Sequence, residues 1–117
     1  MVKSTKIHSH PQLREAGNKL DLFEEPMEST LTITVTHPAG LHARPASLFV
    51  KTANQFKSTI QVENLTDSRG AVNAKSILSI LTLGVCQDHE INITAEGEDA
   101  EDAILALEEL INDNFGE

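Results

Sequence analysis

The apolar residues of this chain follow two different spacings, and their order limits the folds that the chain can adopt. Alternation of apolar and β-branched residues with a period of two is typical of strands with one buried face. Recurrence at helical spacing is typical of helices packed along one stripe. The predicted strands lie at 31–36, 60–62, 71–73 and 90–95. The predicted helices lie at 45–57, 76–83 and 100–111, so the order is βαββαβα.

This order predicts one α+β domain with an appended segment. A chain of 117 residues supports a single modest hydrophobic core. We expect an open-faced sandwich over 30–117, in which a four-stranded antiparallel sheet is covered on one face by three helices. We expect 1–29 to be a flexible N-terminal extension, with Met27 as an alternative start.

Composition excludes several classes of protein. The net charge is −9, and the only aromatic residues besides histidine are four phenylalanines, so a nucleic-acid-binding face is not expected. No segment is apolar enough to span a membrane. Cys86 is the only cysteine, which suits a reducing cytoplasm. His8 and His10 lack two further placed ligands, so we expect no metal site. We expect the chain to be a cytoplasmic monomer without a cofactor.

The segment 37–47 places a histidine, an arginine and a proline together at a predicted helix start. Pro45 suits the first helical position, because its φ is already set and its missing N–H costs nothing there. His42 then lies just before the helix, where free backbone amides and the helix dipole favour an anion. Arg44 adds a guanidinium that can bind phosphate oxygens. Since neutral imidazole is a nucleophile near pH 7, His42 is predicted to accept a phosphoryl group, whereas His37 is predicted to be a strand-end residue.

Three stretches of the chain resemble one known family. Gly-Leu-His-Ala-Arg-Pro-Ala at 40–46 resembles the active-site motif of HPr, the histidine-containing phosphocarrier of the bacterial sugar phosphotransferase system. The blocks at 72–78 and 82–85 resemble that family's regulatory serine and the helix after it, and 93–100 is similar to its last strand and turn. The resemblance covers 30–115 in family order and implies the same open-faced sandwich.

The resemblance implies a phosphocarrier, which is an intermediate between enzymes and not itself an enzyme. His42 would accept the phosphoryl group on Nδ1 from phosphorylated enzyme I, which draws it from phosphoenolpyruvate. The chain would then pass it to an enzyme IIA domain. We expect the Arg44 guanidinium and the Ala43 and Arg44 amides to stabilise the charge of the transferred group.

Ser76 has both a structural and a regulatory interpretation. Serine is a preferred N-cap, which alone would explain its place before a helix. The resemblance implies that it is the target of a serine kinase and phosphorylase and that its phosphorylation controls binding, including to a transcriptional regulator.

The helix after Ser76 is apolar nearly all round, so part of it is expected to remain exposed. We expect Ile77, Leu81 and neighbouring Leu41 to form an apolar docking surface for partner proteins. Leu78 and Leu83 are expected to face the core.

Two other functions remain open at this point. The chain could be a regulatory interaction protein controlled by Ser76, or a carrier for a dihydroxyacetone-kinase or nitrogen-related branch. It also departs from the family pattern at Ala39, where many relatives carry a small polar residue, and in a longer turn at 65–70. With Ala39 there, we expect backbone groups to orient the His42 ring.

Overall fold

The computed structural model describes residues 7–10 and 28–117. Within these ranges the chain forms five strands and three α-helices. The strands are β1 (Ile7–His10), β2 (Glu28–Val35), β3 (Thr59–Asn64), β4 (Arg69–Asn73) and β5 (His89–Glu96). The helices are α1 (Ala43–Ala53), α2 (Ile77–Thr82) and α3 (Ala100–Asn112), and a 3-10 turn follows at Asn114–Gly116.

The strands form one antiparallel sheet in the order β1-β2-β5-β3-β4. At its centre β2 and β5 pair over eight residues, with Leu31 opposite Ile93 and Ile33 opposite Ile91. The four strands and three helices predicted for the domain are therefore confirmed, in the order βαββαβα.

The predicted N-terminal extension contributes the fifth strand. Ile7 lies opposite Leu31 and His10 opposite Glu28, so β1 lies along the outer edge of β2. The rest of this extension, 1–6 and 11–27, lies outside the described residues. Its flexibility stays a prediction.

The hydrophobic core lies between one face of the sheet and the three helices. Every second residue of β2 and β3 is buried, as are Ile91, Ile93 and Ala95 of β5, as the period-two pattern predicts. Helix α3 packs on β2 and β5, and α1 packs against both α2 and α3. The other face of the sheet is polar, and there the Thr32 hydroxyl donates to Asn92 Oδ1 at 3.0 Å. Among the described residues, no helix has the length and apolar character needed to cross a membrane.

Element boundaries differ from the prediction at both ends of α1. The helix begins at Ala43, so Pro45 is its third residue. Proline is tolerated there because the first four N–H groups of a helix have no intrahelical partner. The helix ends at Ala53, four residues before the predicted end, and the Lys57 and Ser58 amides instead donate to the Asp99 carboxylate at 2.8 and 2.9 Å.

The longer turn predicted at 65–70 is smaller than expected. Strand β4 already begins at Arg69, and a register shift between Val62 and Asn64 takes up part of the extra length within β3. The turn itself covers 65–68.

Candidate functional site

The loop after β2 is fastened to the segment that precedes β5. The Leu41 amide donates to the Val85 carbonyl at 3.0 Å, which holds the loop on the core. Gly40 has a φ of +59°, and a Cβ at this position would lie 2.2 Å from the Val85 oxygen. Only glycine fits such a close approach in the left-handed region. The loop that leads into α1 is therefore held in one conformation.

His42 is the N-cap residue of α1, with the extended backbone (φ −127°, ψ 167°) that this position requires. Its amide donates to the Ala39 carbonyl at 3.2 Å, and its ring Nδ1 lies 3.3 Å from the same oxygen. The ring makes no capping bond to the helix amides. A backbone carbonyl therefore orients the imidazole, as we expect where residue 39 is an alanine without a polar side chain.

The first turn of α1 presents backbone amides beside this imidazole. Its first N–H groups lack partners within the helix, so the N-terminus attracts an anion. Ala43 has a φ of +51°, a left-handed conformation that costs a non-glycine residue about 1–2 kcal/mol. Ala43 and Arg44 are exposed, and Pro45 is buried. Along the chain, this strained residue lies between His42 and Arg44.

Arg44 is held by a carboxylate that sequence analysis did not single out. Its Nη1 donates to Glu117 Oε2 at 2.8 Å, and the second oxygen of Glu117 lies 2.7 Å from His37 Nε2. Hydrogen bonds from His37 and Arg44 lower the pKa of the Glu117 side chain from its usual 4.5. The site therefore contains a series of contacts from His37 through Glu117 to Arg44, in the helix that His42 caps.

His37 lies two residues after the end of β2, near the strand end as predicted, and its side chain is buried. It is 8% exposed, and both of its ring nitrogens have partners. No sequence pattern indicates its contact with Glu117, because 80 residues separate the two.

Ser76 occupies the predicted N-cap of α2. Its Oγ accepts a hydrogen bond from the Ser79 amide at 3.2 Å, so its structural interpretation is confirmed. Helices α1 and α2 pack against each other, which places the caps His42 and Ser76 on neighbouring helices.

Comparison with known proteins identifies the family of this chain. Residues 29–113 match the family described as "PTS HPr component phosphorylation site". The phosphocarrier protein HPr of Haloferax volcanii is 46% identical over 81 residues, which are 69% of this chain and 90% of that protein.

The chain belongs to the HPr family. A crystal structure of HPr-C-His from Thermoanaerobacter tengcongensis superposes with a TM-score of 0.71 and 50% identity, covering 75% of this chain and 96% of that one. The open-faced sandwich predicted from the HPr resemblance is confirmed.

Another relative is much longer than this HPr-family chain. The multiphosphoryl transfer protein of Vibrio cholerae serotype O1 (strain ATCC 39315 / El Tor Inaba N16961) is 44% identical over 88 residues, which are 75% of this chain but 22% of that protein. The chain thus spans about a fifth of the length of this relative.

The exposed apolar residues of this HPr-family domain differ from the prediction at two leucines. Leu41 was expected to be exposed and is fully buried, since the loop that carries it is pinned to Val85. Leu78 was expected to face the core and is 72% exposed. Helix α2 has only six residues, and Ile80 is its one buried residue.

The exposed apolar patch of α2 therefore consists of Ile77, Leu78 and Leu81. We call it the α2 patch. Leu83, expected to face the core, is buried, and this prediction is confirmed. Among the described residues, no group of three or more histidine, cysteine or carboxylate side chains could hold a metal ion.

Proposed function

We propose that this chain carries a phosphoryl group on Nδ1 of His42, receiving it from phosphorylated enzyme I and passing it to enzyme IIA domains in the cytoplasm. One observation carries the proposal: His42 is the N-cap residue of α1, and Arg44 lies in the first turn of the same helix. That place offers a nucleophile, unpaired backbone amides and a cation to an incoming phosphoryl group. The family assignment supports the same function.

The transfer is a displacement at phosphorus. The lone pair of His42 Nδ1 attacks, the N–P bond of the donor phosphohistidine breaks, and its electron pair returns to the donor ring. The Nδ1 contact with the Ala39 carbonyl is a hydrogen bond only when Nδ1 carries the proton. Attack therefore requires the tautomer with the proton on Nε2 and a ring turned away from Ala39.

Arg44 stabilises the transferred group through its charge. A guanidinium has several N–H donors, and the Glu117 contact uses one at Nη1. The remaining donors can bind phosphate oxygens without release of Glu117. The carboxylate also offsets part of the arginine charge, so the phosphoryl group is held only moderately and can be passed on.

The α2 patch is the proposed contact for both partner proteins. An exposed apolar patch of this kind marks a docking surface in a small domain. Since the patch belongs to the helix that packs beside α1, a partner docked there approaches the helix that His42 caps.

Phosphorylation of Ser76 is the proposed control of that docking. The hydroxyl lies at the cap of α2, directly before Ile77, so a phosphate would add up to about two negative charges beside the patch. The positive end of the helix tolerates this charge, whereas an acidic or apolar partner surface does not. A serine kinase acting there would change binding and leave the fold intact.

Intact mass after incubation with enzyme I and phosphoenolpyruvate tests the acceptor. We expect one added phosphoryl group that acid removes and that is absent from His42→Ala. The matched control is His89→Ala, which removes a histidine whose Nδ1 accepts from the Cys86 amide, outside the 37–44 loop. An acid-stable phosphoryl group, or one retained in His42→Ala, would contradict the proposal.

A further inference from the structure

The buried His37 ring makes two contacts, one with Ala39 beside His42 and one with Glu117, which binds Arg44. Its Nδ1 accepts a hydrogen bond from the Ala39 amide at 2.9 Å. A neutral imidazole with an accepting Nδ1 carries its proton on Nε2, so Nε2 donates to Glu117 Oε1 at 2.7 Å. Both nitrogens are therefore engaged, and the ring has one orientation.

The first contact leads to the proposed phosphoryl acceptor. Ala39, whose amide donates to His37, also presents its carbonyl to His42. That oxygen lies 3.2 Å from the His42 amide nitrogen and 3.3 Å from His42 Nδ1. A shift of Ala39 would therefore move the His42 backbone, from which the acceptor ring projects.

The second contact leads to the cation of the site. Glu117 accepts from His37 through one oxygen and from Arg44 Nη1 through the other, at 2.8 Å. The Arg44 side chain is 58% exposed, so little packing holds it in place. The Glu117 carboxylate therefore connects the Arg44 guanidinium to the buried His37 ring.

The segment 114–117 is shaped to present this carboxylate. Asn114, Phe115 and Gly116 all have φ between +56° and +79°, and they turn the chain back toward the loop after β2. Phe115 is buried and packs edge-on against the His37 ring, with 5.7 Å between ring centroids and an interplanar angle of 83°. Non-glycine residues keep such a conformation only where the surroundings hold them.

We propose that His37 is a positioning residue that fixes the backbone from which the His42 imidazole projects, through Ala39, and the Arg44 guanidinium, through Glu117. The inference rests on the proposed function and assigns a role to a residue that does not touch the transferred group. One rigid ring sets the distance between nucleophile and cation before the phosphoryl group arrives. Preorganisation of this kind lowers the barrier, and misplacement by about 1 Å costs up to about a hundredfold in rate.

Two substitutions separate the two contacts. In His37→Asn, the side-chain oxygen can still accept from the Ala39 amide, but the side chain is too short to reach Glu117. In His37→Gln, the amide nitrogen can reach Glu117, but the accepting group at the Nδ1 position is lost. The matched control is His89→Asn, since that ring also accepts a backbone amide hydrogen bond, from Cys86.

Steady-state transfer from enzyme I measures the effect on the reaction. We expect each variant to lower kcat by about ten- to hundredfold, with KM changed less than about twofold because the α2 patch is untouched. His37→Asn combined with Glu117→Gln should lose less than the sum of the two single losses, because the two residues share one contact. The His89→Asn control should retain wild-type kcat.

Nitrogen NMR of the side chains distinguishes positioning from a general structural role. We expect His37→Gln to shift the His42 ring nitrogens and His37→Asn to shift the Arg44 guanidinium signals. Glu117→Gln, at an exposed position, should reproduce the Arg44 shift without affecting folding, so the test does not depend on a stable His37 variant.

The outcomes separate this inference from the proposed function. A wild-type chain that accepts no phosphoryl group from active enzyme I would overturn the proposed function and this inference with it. A wild-type chain that accepts it, with folded His37 variants that keep wild-type kcat and unshifted His42 and Arg44 signals, would overturn the positioning role alone.

Discussion

The loop around His42 and the α2 patch differ in how they are held in place. In the loop, polar groups are tied by backbone and side-chain hydrogen bonds, and Gly40 and Ala43 adopt left-handed conformations. The α2 patch consists of exposed leucine and isoleucine side chains on a six-residue helix that is capped by Ser76. The comparison predicts that the proposed phosphoryl transfer depends on fixed geometry, whereas the proposed docking depends on accessible apolar area.

Gly40→Ala is expected to disrupt the conformation of the loop and to have the largest effect on stability. A Cβ would lie 2.2 Å from the Val85 oxygen, and the φ of +59° disfavours any other residue. We expect the free energy of unfolding to fall by about 2–5 kcal/mol, measured by denaturant titration. Phosphoryl transfer by the folded fraction should fall as well.

Gly70→Ala is the matched control for this substitution. Nothing lies within 4 Å of a Cβ at Gly70. We expect a change within about 0.5 kcal/mol. Equal losses in the two variants would show that the close approach at Val85 does not hold the loop.

Leu78→Ser tests the α2 patch. The side chain is largely exposed, so stability should change by less than about 0.5 kcal/mol. Loss of its apolar contact should raise KM for enzyme I by about tenfold and leave kcat unchanged. Leu78→Ser is thus expected to change KM and not kcat, whereas the His37 substitutions at the loop are expected to change mainly kcat.

Leu105→Ser provides the control for Leu78→Ser. Leu105 is also an exposed leucine, at 47%, but it lies on α3. Its substitution should leave KM at the wild-type value. A similar rise in both variants would mean that general surface hydrophobicity, and not the α2 patch, governs docking.

Ser76→Ala and Ser76→Asp test the cap beside the patch. Alanine removes the acceptor for the Ser79 amide and should lower the free energy of unfolding by about 1 kcal/mol. Aspartate is itself a good N-cap and should retain most of that stability while raising KM for an acidic partner. If aspartate destabilises as much as alanine, or leaves KM unchanged, the capping or the docking argument is wrong.

The smallest effect concerns the pKa of Glu117 in the loop site. Hydrogen bonds from His37 and from Arg44 lower this pKa, so the contacts stabilise the folded state above pH 4.5. That contribution is lost as the pH falls below 4.5 through the folded pKa. In an NMR titration we expect His37→Asn and Arg44→Ala each to move the pKa upward, toward 4.5. A pKa that does not move would contradict the contacts.

Most of the fold could be predicted because strand and helix periodicity are local properties of the chain. The alternation at 31–36 and the stripe over 100–111 each identify an element and its buried face. The end of α1 could not be predicted in this way, because the Lys57 amide is bound by Asp99, which is 42 residues away.

The candidate site was predictable to the same extent. The spacing of His42, Arg44 and Pro45 is local, and it indicates an imidazole before a helix. The side-chain direction of Leu78 was predicted wrongly, because a short helix that is apolar on all sides gives no periodicity from which to choose a buried face. That of Leu41 was predicted wrongly because its loop is held on the core by the Val85 carbonyl, which is distant in the sequence.

The sequence by itself determined the order of elements within 30–117, the His42 and Ser76 caps and the family. The tertiary structure alone decided that Glu117 joins His37 to Arg44, and which leucines form the α2 patch. The physical reason is range: periodicity and capping act over a few residues, whereas a carboxylate meets an arginine 73 positions away only after the sheet and helices have packed.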